Sequence, residues 1–183
     1  MSNEVITRVT QLINAFDARV QAAPADSWSN GAPCDGWTAR DVVVHVGNNL
    51  LRMGAGLSGG EGREISADED IAAAWEEAKG SFFGALPTAD LSTSMPMGPM
   101  GPMPAEQIIG RFMSNDVLVH TWDLARATGG DESLDATSVE AAYSGLKPMD
   151  AMLRMPGMFG AKVESAPDAD LQTQFLNFLG RTV

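Results

Sequence analysis

Residues 115–130 read NDVLVHTWDLARATGG, an apolar stretch interrupted by Asp116, His120 and Asp123. Side chains three and four residues apart are neighbours on a helical surface, so on a helix these three stack along one face. Ala105, Ile109 and Phe112 precede them on the same line and Ala127 follows, so a core-facing stripe turns polar for two turns and then returns to apolar. Val117, Leu118, Val119, Trp122 and Leu124 fill the other faces, and a helix apolar nearly all round belongs inside a bundle. A carboxylate and an imidazole buried there need partners: each other, a cation or a metal ion.

The flanking sequence supplies the rest of the bundle. Val5, Val9, Leu12, Ile13, Phe16 and Val20 keep the helical period and predict a first helix over about 3–22. Thr38 followed by Asp41 forms a capping pattern ahead of Val42, Val46, Leu50, Met53 and Leu57, a second helix that ends near residue 57 and carries His45 beside its apolar stripe. After the glycine-rich GLSGGEGRE, Ser66 and Glu69 form a capping box for a third helix running through Trp75 to Phe83. The stretch PTADLSTSMPMGPMGPMP is irregular, and Pro104 is placed to start the fourth and longest helix, which stops at Gly129 and Gly130. Thr137 and Glu140 are suited to cap a fifth helix reaching Met152, and a short sixth spans about 168–178. The only strand signal is a weak one in AKVES, 161–165. The expected fold class is all-α: one domain over 1–183, with a four-helix core at about 3–129 and an α-rich extension at about 130–183.

Bulk composition narrows the function. A chain of 183 residues is long enough for a core that needs no disulfide or metal to hold it. A net charge of -12 argues against nucleic acid, whose affinity is built from Lys and Arg on phosphates. The single Cys34 excludes an intrachain disulfide and suits a reducing compartment. The first residues lack the basic-then-apolar pattern of a secretory signal, and no run approaches the roughly 18 apolar residues of a membrane span. A cytoplasmic protein without nucleic-acid or membrane partners is expected, as a monomer or homodimer.

The two histidines, His45 and His120, both lie in predicted helices beside core stripes. An Asp and a His four apart on one helix, with a His from a facing helix, assemble a three-ligand site of the kind bundles build from inward side chains. Imidazole and carboxylate suit zinc, nickel, iron or manganese, and three protein ligands leave a position open for water or substrate. From spacing alone, a satisfied polar core is an equal alternative. Asp123 has three readings: an acceptor orienting His120, a ligand in place of Asp116, or a surface partner of Arg126. Cys34 reads either as a reactive thiol or as a small half-buried loop residue. Trp37 and Trp122 read as core anchors, and the methionines of 95–103 as an adaptable apolar loop over the end of the bundle.

PCDGWTARDVVVHV and NDVLVHTWDLARATG together resemble the two signature segments of the DinB-like metalloproteins, in the actinobacterial branch related to mycothiol-dependent maleylpyruvate isomerase. The closing FLNFLGRTV resembles the FLGR ending frequent in that branch. The resemblance implies a four-helix DinB bundle with an open divalent-metal site whose ligands carry over to His45, Asp116 and His120. Relatives such as the isomerase have Glu where this chain has Asp116. The resemblance also implies zinc, with nickel as the alternative metal, and mycothiol as a thiol cofactor bound through sulfur. Two functions follow: a thiol-dependent transferase or isomerase acting on a small electrophile under the Met-rich loop, with Asp123 or a metal-bound water moving protons, or a non-catalytic metal-binding or stress-related protein whose metal only stabilises the bundle. Arg40, Arg52, Arg111 and Arg126 are the cations nearest the motifs that could hold a cofactor's anionic groups.

Overall fold

The computed structural model describes residues 2–155 and 159–183. It is an all-α bundle with one small hairpin, consistent with the DinB-like architecture. Helix α1 (Ser2–Ala22) buries Val9, Leu12, Ile13, Phe16 and Val20, the stripe its periodicity marks. Helix α2 (Ala39–Leu57) opens with a complete capping box, in which the Thr38 side chain accepts from the Asp41 amide while Asp41 accepts from the Thr38 amide. Helix α3 (Ile71–Ala85) starts later than expected, because Asp70, whose carboxylate accepts from the Ala73 amide, is its cap. Ser66 and Glu69 do bond each other, but they close the preceding loop. Gly54 lets α2 and α3 approach closely, since a Cβ there would lie 2.8 Å from the Ser81 backbone.

Within the irregular stretch, β1 (Ser94–Pro96) and β2 (Pro102–Pro104) pair antiparallel, with Met95 opposite Met103. Helix α4 (Ala105–Gln107) leads through a π-helical segment, Ile108–Met113, into α5 (Ser114–Thr128). The π segment corrects the expected uninterrupted stripe: its wider turn rotates the register, so Met113 is buried and Phe112 only half-buried. Gly129 ends α5 in the left-handed region at φ 70°, as its position suggested.

The expected fifth helix is divided. Asp135 caps α6 (Ala136–Leu146), Pro148 lies in a single tight turn over Lys147–Met149, and α7 (Asp150–Leu153) follows. Helix α8 (Leu171–Phe178) is capped by Asp170. Residues 161–165 form no strand; Val163 donates a single backbone bond to the Asn177 carbonyl.

In the bundle α5 packs against both α1 and α2, and α3 packs along α2 and is tied to α1 by the Trp75 and Lys79 bonds to Asp17. Trp75, Trp122, Phe16, Phe82 and Phe175 are the large side chains of the core. Helices α6 and α8 pack on each other, so the C-terminal segment folds back toward α5. Among the described residues no helix is long and apolar enough to cross a membrane.

Candidate metal centre

The polar interruption of α5 faces α2, and its side chains converge with His45. His45 Nε2 lies 3.1 Å and 3.2 Å from the two Asp116 oxygens, and His120 Nε2 lies 3.4 Å from Asp116 Oδ1. Asn49, one turn beyond His45, donates to Asp116 Oδ2 at 3.0 Å. Donors held by one zinc-sized ion at about 2 Å in a tetrahedron stand about 3.3 Å apart, so these separations fit a single divalent cation. The fit holds chemically as well: two imidazole nitrogens and a carboxylate oxygen form a borderline donor set. Asp116 is one methylene shorter than Glu, yet the close crossing of α2 and α5 brings its carboxylate to both histidines.

His120 is held from behind. Its Nδ1 donates to Asp123 Oδ2 at 2.9 Å, which leaves Nε2 to face Asp116. Asp123 is fully buried and also accepts two bonds from Arg181, at 3.0 Å from Nε and 2.7 Å from Nη2. The Cys34 thiol donates to Asp123 at 3.3 Å and accepts from Arg181 Nη2 at 3.2 Å. Asp123 is therefore no partner of Arg126, which pairs instead with Glu132 and lies 4.7 Å over the Trp122 ring. Loop 23–38 brings in Cys34 and is tied to α5 by Asn30, whose amide donates to the Ala127 carbonyl at 3.0 Å.

Electrostatics follow from this enclosure. Burial alone would raise the Asp116 carboxyl, but the charge and hydrogen bonds of His120 and His45 outweigh it and hold the group well below the usual carboxylate range. Burial would likewise lower His120, yet Asp116, Asp123 and Cys34 raise it well above the ordinary imidazole value. Asp123 is lowered, because His120 and Arg181 overcome its burial.

Trp37 corrects the core-anchor reading. It is half-buried and forms a wall of the site, its ring stacked 5.7 Å from His120 and tilted 5.0 Å from His45. Trp122 is the core anchor expected.

Asp116 and Asn49 also line a cavity of about 800 Å³ that runs past the hairpin and the π segment to α6 and α7. Met95, Pro96 and Met97 of the Met-rich loop form part of its wall. Of the four arginines singled out from sequence, Arg52 and Arg111 line this cavity. Arg40 is drawn off to the Ser66 and Glu69 carbonyls and Arg126 to Glu132, so neither is on the wall. Sequence reasoning missed Asn49, Arg8 and the role of Arg181. Asn49 was within reach, one helical turn from His45; Arg8 sits on a different helix with no local signal, and Arg181 meets Asp123 only through the fold.

A profile described as the mycothiol maleylpyruvate isomerase N-terminal domain matches residues 9–125, which include His45, Asp116, His120 and Asp123. Uncharacterized protein Rv0738 of Mycobacterium tuberculosis strain H37Rv is 29% identical over 172 residues, covering 93% of each chain. Uncharacterized protein MT0763 of strain CDC 1551 matches to the same extent. No solved structure matches the chain. With its family profile spanning most of the chain, the protein belongs to the mycothiol maleylpyruvate isomerase N-terminal domain family.

Proposed function

We propose that the protein is a divalent-metal, thiol-dependent transferase or isomerase acting on a small electrophile, with mycothiol as the thiol and zinc as the metal. The observation that carries this reading is that Asp116, which His45 and His120 flank, lies on the wall of a cavity instead of being sealed in the core. Side-chain exposures of 31% for His45 and 27% for Asp116 are those of groups a ligand can reach. A closed shell would suit the purely stabilising alternative.

His45, Asp116 and His120 would hold the ion. Bound there, a divalent metal supplies the charge that deprotonates a thiol at neutral pH and makes it a nucleophile. The chain's own groups do the positioning. Asp123 fixes the His120 tautomer and ring plane, Arg181 keeps Asp123 ionised, and Trp37 limits water over the two imidazoles. Asn49 fixes the rotamer of Asp116. In an addition the thiol S–H is exchanged for an S–C bond and the proton ends on the substrate; in an isomerisation that bond breaks again and the thiol leaves unchanged.

The test is cobalt-substituted protein titrated with a low-molecular-weight thiol. Growth of a sulfur-to-cobalt absorption band supports an open thiol-binding centre. Stoichiometric cobalt with a spectrum indifferent to thiol would favour the stabilising role instead.

A further inference from the structure

The cavity beside the centre is charged against the trend of the molecule. Twelve basic side chains face twenty-four acidic ones, so most cations are neutralised locally. Arg19, Arg63, Lys79, Arg126, Arg154, Lys162 and Arg181 are all ion-paired. Arg40 is held by backbone carbonyls, and Lys147 lies 3.9 Å over the Tyr143 ring. The remaining three, Arg8, Arg52 and Arg111, all line this cavity, and among the described residues none of them has an ion-pair partner. Arg8 is half-buried, its Nε lacks a hydrogen-bond partner among the described residues, and its Nη2 donates to Asn115 at 3.2 Å. Arg52 donates to Asn49 at 3.1 Å and to the Asn48 carbonyl at 3.2 Å, both uncharged acceptors.

The two asparagines tie Arg8 and Arg52 to the centre, and Arg111 stands one turn before Asn115, whose amide donates to the Arg111 carbonyl at 2.7 Å. Asn115 is the chain neighbour of Asp116, and Asn49 bonds both Arg52 and Asp116. Asp116 is the only carboxylate on the cavity wall among the described residues, and its charge is already taken by His45, His120 and Asn49. Arg8 is half-buried with Asp135 as the acidic group acting on it, while Arg52 and Arg111 are exposed and keep no ion pair of their own among the described residues, and the guanidinium fork matches carboxylate and phosphate. Away from this end the wall is apolar and adaptable: Met53, Met95, Met97, Met113, Met149 and Met152 are all on it. A volume of about 800 Å³ exceeds the needs of a compact head group alone.

We propose that this cavity takes an amphipathic anion, with its carboxylate or phosphate head among Arg8, Arg52 and Arg111 next to the His45–Asp116–His120 cluster and its apolar tail along the methionine wall. This names the substrate class of the proposed enzyme and, as a statement about turnover, rests on that reading. Binding of the anion does not require catalysis.

The experiment is isothermal titration of metal-loaded and metal-free protein with decanoate, hexanoate, decyl phosphate and decanol, alongside metal content. Decanoate is expected to bind at least about tenfold more tightly than decanol, the scale of one charge-assisted hydrogen bond. It should also exceed hexanoate by up to about fourfold per added methylene. Arg111→Gln, at an exposed position, should abolish the preference for decanoate over decanol while leaving metal content and decanol binding unchanged. Arg52→Gln is the second variant and should act in the same direction. The better of decanoate and decyl phosphate tells which head group the arginines serve. Equal binding of decanol and decanoate, or an unchanged preference in both variants, overturns the proposal. Failure to take up metal would instead defeat the enzymatic reading, and anion selectivity would still be read from the metal-free titration.

Discussion

His120 stands between two polar clusters that burial has made opposites. On its Nε2 side Asp116 and His45 remain a quarter to a third exposed, and Asp116 lies on a cavity wall. On its Nδ1 side Asp123 is wholly enclosed, and Arg181 is 9% exposed, with Cys34 closing the group. The same residue types therefore do different work. A buried charge must have every lone pair and proton answered, so the Asp123 cluster is a fastening between α5 and the C-terminal segment. A charge left partly open at a cavity is available to a ligand, which is what the Asp116 cluster offers.

The contrast is broken most directly on the enclosed side. Asp123→Ala leaves Arg181 buried without a counter-charge and should cost about 3–5 kcal/mol in urea unfolding of the metal-free protein. In whatever fraction folds, metal affinity should fall about 10–100-fold, since His120 loses its orienting acceptor. A loss under about 1 kcal/mol would mean the cluster is not a fastening.

On the open side the pattern should invert. His120→Ala should abolish stoichiometric metal binding. His45→Ala should do the same while changing metal-free stability by no more than about 1 kcal/mol, because the side chain is already half-solvated.

Acid titration separates the two sides again. Asp123 is held below its ordinary pKa, so its stabilisation is fully present above the unfolded value of about 3.9 and is lost as pH falls through the folded value. The stability gap between the wild type and Asp123→Asn should therefore narrow below about pH 4. A gap that widened with acid would contradict the depressed pKa.

Smaller effects sharpen the boundary. Cys34→Ala removes a weak donor and should cost about 1 kcal/mol. Arg126→Gln, at a surface pair with Glu132, should change stability by no more than about 1 kcal/mol and leave metal uptake intact.

The open cluster was more legible in sequence than the enclosed one. Asp116 and His120 lie four apart on one periodic helix, where spacing gives a shared face, and the family resemblance added His45 from a second helix. The α2 capping box and the Gly129 stop were equally local signals, and both appear. Asp123 admitted three readings because its partners, Cys34 and Arg181, are brought to it by a loop and by the returning C-terminal segment. The π segment was hard to see for a similar reason: Gly110 is the one weak helix former in IIGRFM and does not by itself specify a wider turn, so the register shift that buries Met113 in place of Phe112 is set by packing. The division of the fifth helix was readable at Pro148 and was missed by following Thr137 and Glu140. Arg8 became a cavity residue only when α1 was laid against α5.

Metal content in the wild type and in Asp116→Asn, after equilibration with zinc and removal of excess, tests the central claim most directly. Asp116→Asn keeps the shape of the side chain and removes the charge the two histidines share. The account predicts stoichiometric zinc in the wild type and loss of it in the variant, with both proteins equally helical. Full retention of zinc by Asp116→Asn, or none in the wild type, would contradict an ion held by His45, Asp116 and His120.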